Sequence, residues 1–375
     1  MNNIKLSLPH VGGCEKKYID EALAGDWIVP LGPHVNLFEK KLEEYLDAPH
    51  VVALSAGTAA IHLALVLLGI KPGDEVICQD FTFSASANPI LYQGASPVFV
   101  DSETTTWNLD PDLLRTAIID RHAKTGRYPA AIIAVHLYGM PAQMDRILEV
   151  AAEFGIPVVE DAAEALGSTF KGKACGTFGR YGTLSFNGNK IITTSGGGAL
   201  ICPNEDDAKR ALFFATQARE NRPYYYHHHV GYNYRLSNIS SAIGCGQMDV
   251  LPQHLQRRRE IHRLYAEAFR NHPFITVQEN PSKDYDSNFW LSTITLSEGS
   301  PVTADTLRVK LAEQGIETRL LWRPMHMQPV FAEVPAYVNG TSEDLFNRGL
   351  CLPSGSSLTD EDVATVVDAI LKLCR

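Results

Sequence analysis

The stretch Thr183-Leu-Ser-Phe-Asn-Gly-Asn-Lys190, continuing as Ile191-Ile-Thr-Thr-Ser-Gly-Gly-Gly198, joins a short apolar strand, an Asn-Gly turn, one lysine and a glycine run. Lys190 is its only ionisable group. Bulky and β-branched residues behind it would strip water from an ammonium, which favours the neutral, nucleophilic amine. A lysine so placed suits Schiff-base chemistry. Asn-Gly is equally a strong signal for a two-residue hairpin, in which the lysine would be a solvated turn residue. The rest of the chain has to decide between the two.

Upstream, Val51-Val-Ala-Leu54 reads as a strand that ends in Ser55-Ala-Gly-Thr58 and opens a helical run from Ala59 to Leu68. Such a turn sets free backbone N–H groups and the positive end of a helix dipole at one point, which makes an anion site. It is also compatible with an ordinary N-cap by Ser55 or Thr58. Strands at 75–78, 97–100, 130–135, 156–160 and 183–186 alternate with helical patterns at 83–91, 111–118 and 144–154. Strands that are apolar almost throughout imply an α/β fold with a mostly parallel sheet covered on both faces. Ligands of such sheets sit at the carboxyl ends of the strands. There Glu160-Asp161-Ala-Ala-Glu164 follows a buried-type strand, so Asp161, the Thr58 turn and Lys190 are expected around one cleft.

Downstream, a helix over 206–219 gives way to a polar-aromatic segment, residues 219–238, which contains His227-His-His229. Long polar loops in compact enzymes are commonly functional or at interfaces. Adjacent histidines do not converge on one ion as i, i+4 pairs do, so no metal site is expected. Helices are predicted over 239–251 and 252–269, and the boundary between them divides the chain into a large domain, residues 1–251, and a smaller α+β domain, residues 252–375. The latter has strands at 289–296 and 316–319, a helix over 303–314, and a last helix over 361–373 capped by Thr359 with Asp362 in its first turn.

The formal net charge of −10 over 375 residues, with Arg257-Arg258-Arg259 as the only basic run, argues against nucleic-acid binding. No apolar run reaches the length that spans a bilayer and the first residues lack a signal-peptide pattern, so no membrane association and a cytoplasmic location are expected. Seven cysteines are scattered without regular spacing, which suits reduced thiols rather than a disulfide frame.

Taken in order, Ser55-Ala-Gly-Thr58, Phe81-Thr-Phe83, Glu160-Asp161-Ala-Ala-Glu164, Ser185-Phe-Asn-Gly-Asn-Lys190, Gly231-Tyr-Asn-Tyr-Arg-Leu-Ser-Asn238 and Cys351-Leu-Pro-Ser354 resemble the motifs of the DegT/DnrJ/EryC1/StrS nucleotide-sugar aminotransferases. The resemblance implies a pyridoxal-phosphate-dependent transferase of fold type I with pyridoxal 5′-phosphate as cofactor. By that resemblance Lys190 forms the Schiff base and then moves the proton, and Asp161 pairs with the pyridine nitrogen. Gly57, Thr58 and Ser185 hold the phosphate, and Phe83 stacks on the ring, with core packing its plain alternative. Asn238 reaches the phosphate from a neighbouring subunit, which implies a homodimer with shared active sites.

Most members resembled carry Gln or His where Glu164 stands, and many have an acidic residue within the glycine run, here Ser195 to Gly198. The form seen here is similar to a subgroup acting on C4 of UDP-linked 4-keto-6-deoxy-N-acetylhexosamines with L-glutamate as donor. Glu164 could meet the cofactor's phenolic oxygen if its carboxyl pKa is raised. For the sugar nucleotide the candidates are Arg319, Trp322, Arg323 and His326, since cationic and aromatic groups suit pyrophosphate and uracil. For the donor carboxylate they are Arg219 and Arg235. The alternatives are a C3 aminotransferase of a dTDP-linked keto-deoxyhexose, a sugar dehydratase and a non-catalytic regulator. The last two are associated with loss of Lys190 or Asp161, and both are present.

Overall fold

A computed structural model of the chain describes residues 3–375. Its largest sheet has eight strands in the spatial order His50–Leu54, Gly198–Cys202, Tyr181–Ser185, Val158–Asp161, Ala131–Val135, Glu75–Gln79, Ser96–Val100 and Ala336–Tyr337. From Tyr181–Ser185 outward to Ala336–Tyr337 every neighbour pairs in parallel. Gly198–Cys202 runs antiparallel to both of its neighbours. All five residues of Ala131–Val135 are buried, as a strand covered on both faces requires.

The two faces follow the period of two along each strand. Ile77, Val98, Ile132 and Val158 pack with Leu114, Ile118 and Ile147 of the helices Pro111–Thr125 and Met144–Phe154. Val76, Cys78, Ile133 and Val159 pack with Leu63 and Leu67 of the helix Gly57–Leu67. The same alternation sends Glu160 and Asp161 to opposite faces of the sheet.

Residues 238–269 form one continuous helix of 32 residues with Pro252 inside it, where two helices were expected. Its first half buries Cys245 and Leu251 with Phe38 and Leu42 of the helix Pro33–Leu46. Its second half buries Ile261, Tyr265 and Phe269 against the strands Ile275–Val277, Ser292–Leu296 and Gly349–Leu352, which with Arg319–Leu320 make a four-stranded antiparallel sheet. Packing along both halves outweighs the one backbone bond that a proline removes. A division at 251/252 thus falls inside a helix. Two segments also cross it: Ala336–Tyr337 edges the large sheet, and Ile4 bridges to Ile316.

Other differences are local. The helix expected over 83–91 is a short 3₁₀ turn, Ser84–Ser86, followed by Asn88–Tyr92. The helix after Asn204 ends at Ala215, because Gln217 and Ala218 take positive φ. The strand at 289–296 begins only at Ser292, since Phe289 has φ 46°. The last helix, Asp360–Leu373, carries the Thr359–Asp362 capping box. Among the described residues no helix is long and apolar enough to cross a membrane, and no group of three or more His, Cys, Asp or Glu could hold a metal.

Candidate active site

The sheet register lines up the chemistry. Val135 pairs with Asp161, Asp161 with Thr183, and Gly198 with both Ser185 and Leu54. The carboxyl ends of four strands therefore share one rim with the start of the antiparallel strand, and a cleft of about 490 Å³ opens there.

At one corner lies the helix Gly57–Leu67. Its N-cap is Ala56, with no side-chain cap bond, so neither Ser55 nor Thr58 closes the helix end. Unpaired N–H groups and the dipole face a cleft wall shared by Ser55, Gly57, Thr58 and Ser185. Close backbone contact shapes this corner. A Cβ on Gly198 would lie 2.4 Å from both Ala56 C and Gly57 N, and one on Gly57 would lie 3.1 Å from Ser185 Cβ. The glycine run lets the antiparallel strand pass directly under the helix start.

Asp161 is 5% exposed at its strand end. Its Oδ2 accepts the Ser86 hydroxyl at 2.6 Å and its Oδ1 accepts the Ala163 N–H at 3.1 Å. Phe83, also on the cleft, is 52% exposed, which excludes core packing within the chain.

Lys190 follows a tight turn in which its N–H donates to the Asn187 carbonyl at 3.0 Å. The turn is not a hairpin tip: Gly188 does not take positive φ, and no strand follows directly. Ile191 and Ile192, expected to surround the amine, point into the core instead. Lys190 Nζ lies 3.2 Å from Glu164 Oε1 and 4.0 Å from the Trp290 ring centre. Glu164 Oε2 accepts the Tyr138 N–H at 2.7 Å. Burial pushes the Glu164 carboxyl above its ordinary value, against the opposing pull of Lys190.

The remaining expectations divide. Arg319 and Trp322 line the cleft. Asn238, expected to serve a neighbouring subunit's site, is buried within its own chain, its Oδ1 accepting the His34 N–H at 3.0 Å and its Nδ2 lying 3.3 Å from His34 Nδ1. Arg235 is paired with Glu39 and the Ala53 carbonyl, away from the cleft. Arg219 is exposed over the Tyr225 ring, and Arg323 is exposed outside the cleft lining. His326 is held by buried Asp80, its Nδ1 at 2.7 Å and its N–H at 2.8 Å. Ser86, Tyr138 and Trp290 were not foreseen. Nothing local marks the first two, whereas Phe289-Trp290 stood in a segment read as plain strand.

A model of the DegT/DnrJ/EryC1/StrS aminotransferase family matches residues 10–371. The chain belongs to that family. EpsN of Bacillus subtilis, assigned as a pyridoxal phosphate-dependent aminotransferase, is 47% identical over 374 residues, 99% of this chain and 95% of EpsN. The GDP-perosamine synthase of Caulobacter vibrioides is 38% identical over 367 residues, 98% of this chain and 97% of that protein. Among solved structures, the pyridoxal phosphate form of Spr1654 from Streptococcus pneumoniae, assigned as a sugar aminotransferase, superposes with a TM-score of 0.91 at 26% identity, covering 100% of this chain and 99% of the other. This member of the family is thus a sugar aminotransferase with pyridoxal phosphate as cofactor. The donor set fits that group: an uncapped helix start for a phosphate, a buried carboxylate for a ring nitrogen, an exposed phenyl wall, and a lysine for an aldehyde.

Proposed function

We propose that this aminotransferase moves an amino group from L-glutamate to C4 of a UDP-linked 4-keto-6-deoxy-N-acetylhexosamine, in the cytoplasm, for surface polysaccharide or glycan sugars. The observation that carries the reading is Glu164 seated 3.2 Å from Lys190 in a cleft that also holds Asp161. The cofactor, when bound, supplies an electron sink for the carbanion at the substrate carbon. The free N–H groups at Gly57 and Thr58, with the Ser185 hydroxyl, bind its phosphate. Asp161 keeps a proton on the ring nitrogen, oriented by the Ser86 hydroxyl and the Ala163 N–H. Lys190 Nζ carries the proton to and from the substrate carbon, and Glu164 orients that amine. Phe83 and Trp290 wall the site against water. Arg319 and Trp322, at the outer rim, take the sugar nucleotide.

The proposal includes a homodimer with shared sites. It is supported by exposed apolar side chains in two loops, Trp27, Ile28 and Leu31 in one and Tyr225 and Val230 in the other. The second reading is a GDP-linked 4-keto-6-deoxy sugar, favoured by the 38% identity to a GDP-perosamine synthase. The test is an assay of the loaded enzyme with L-glutamate and UDP-, GDP- or dTDP-linked keto-sugars, reading 2-oxoglutarate released. NMR of the product locates the amine. Turnover of the GDP sugar alone selects the second reading, and an amine at C3 overturns both.

A further inference from the structure

Tyr138 stands in an unusual position. It is 2% exposed and holds a left-handed backbone, φ 55° and ψ 14°, which costs a non-glycine residue energy unless its surroundings fix it. Two groups of the residue face opposite ways. Its N–H donates to Glu164 Oε2 at 2.7 Å, the carboxylate beside Lys190. Its hydroxyl oxygen accepts the Trp322 N–H at 2.8 Å, on the segment that runs from Arg319 along the outer rim. The ring lies near-parallel to Trp290 at 6.5 Å and 17°, and to Trp322 at 6.0 Å and 21°. Trp290 in turn faces Lys190 Nζ. Carboxylate and rim tryptophan meet on this one residue directly, and the lysine is reached from it through Glu164 and Trp290.

We propose that Tyr138 is a positioning residue that ties the outer rim at Trp322 to the Glu164–Lys190 pair, so that its hydroxyl sets the affinity for the sugar nucleotide while its peptide sets the proton chemistry. The inference rests on the reading of Trp322 as part of the sugar-nucleotide rim. The left-handed backbone aims the N–H at Glu164 and the ring toward Trp322, and these bonds with the ring stack repay its strain. Burial pushes the phenol well above its ordinary value, so the hydroxyl stays protonated through the working range and the bond to Trp322 does not switch with pH. Removing the hydroxyl leaves the ring, the stack and the peptide bond to Glu164 intact.

The experiment compares the loaded wild type, Tyr138→Phe and Trp322→Ala. The two half-reactions are measured separately: glutamate by the change in cofactor absorbance, sugar nucleotide by its own KM. Tyr138→Phe is expected to raise the sugar KM about three- to tenfold, the range for one lost neutral hydrogen bond. The glutamate half-reaction and its pH profile should stay near wild type, which a merely structural role would not allow, and the melting temperature should fall by no more than the loss of one hydrogen bond entails. Trp322→Ala should raise the sugar KM at least as much. If Trp322→Ala raises it and Tyr138→Phe does not, the inference fails and the rim reading survives. If Trp322→Ala leaves the sugar KM unchanged, the rim reading fails and the inference falls with it. A Tyr138→Phe enzyme that slows both half-reactions equally also overturns it.

Discussion

Glu164 Oε1 lies 3.2 Å from Lys190 Nζ in a site where the carboxylate is only 5% exposed. Burial raises the Glu164 carboxyl, with Lys190 the leading opposing influence. A raised carboxyl means the folded protein holds its proton where the unfolded chain, near 4.5, has lost it. Wild-type stability relative to Glu164→Gln is therefore greatest below that value and declines as pH rises through the raised one. Melting temperatures of the two proteins across a pH series check this. Replacing the carboxyl nearest the lysine should also change the pH titration of the bound cofactor's absorbance. Superimposable titrations would remove Glu164 from the chemistry.

Asp161→Asn keeps the shape of the side chain but not its charge. Its rate should fall about a hundredfold or more in both half-reactions, since the ring nitrogen loses the group that holds its proton. Ser86→Ala removes the 2.6 Å donor to Asp161, together with the 2.7 Å bond between the Ser86 and Thr82 hydroxyls, and should cost about tenfold or less. Stopped-flow rates with glutamate separate the two. A wild-type rate in Asp161→Asn would show that another group serves the nitrogen.

Gly198→Ala places a Cβ 2.4 Å from the backbone of Ala56 and Gly57, which cannot yield as a side chain can. The helix start must shift, at an overpacking cost of about 1–3 kcal/mol, and cofactor affinity should drop with it. Gly188→Ala is the matched control, because its Cβ would meet only Pro9 Cγ at 3.7 Å. Equilibrium dialysis of the cofactor with a thermal melt tests both. Equal behaviour of the two variants contradicts the packing argument.

His326 is raised chiefly by its hydrogen bond to Asp80. Its contribution to stability is then fully present below the ordinary histidine value of 6.5 and is lost as pH rises through the raised value. The gap in melting temperature between wild type and His326→Asn should be widest in acid and close towards alkali. A gap that widens with pH contradicts the assignment.

Much of this is legible in the sequence. Apolar strands alternating with helices specify a covered parallel sheet, and short motifs at their carboxyl ends put Thr58, Asp161 and Lys190 on one rim because strand direction alone decides which end they occupy. What stayed hidden depends on side-chain contacts between distant segments. Pro252 looked like a break, but packing on both sides carries the helix through it. Arg235 looked free, but Glu39, far away in sequence, claims it. The bond between Asn238 and His34, 204 residues apart, is hidden in the same way. Tyr138 and Ser86 act through geometry that no local pattern encodes.

The packing of the helix Pro33–Leu46 against the first half of the helix at 238–269 has a consequence for how the chain is made. Val35, Phe38 and Leu42 are fully covered in the finished molecule, and much of that cover is synthesised some two hundred residues later. A nascent chain halted before residue 238 carries an oily, unfinished face on the helix Pro33–Leu46. Such a face is a target for chaperones and an invitation to aggregate until the helix at 238–269 has been made.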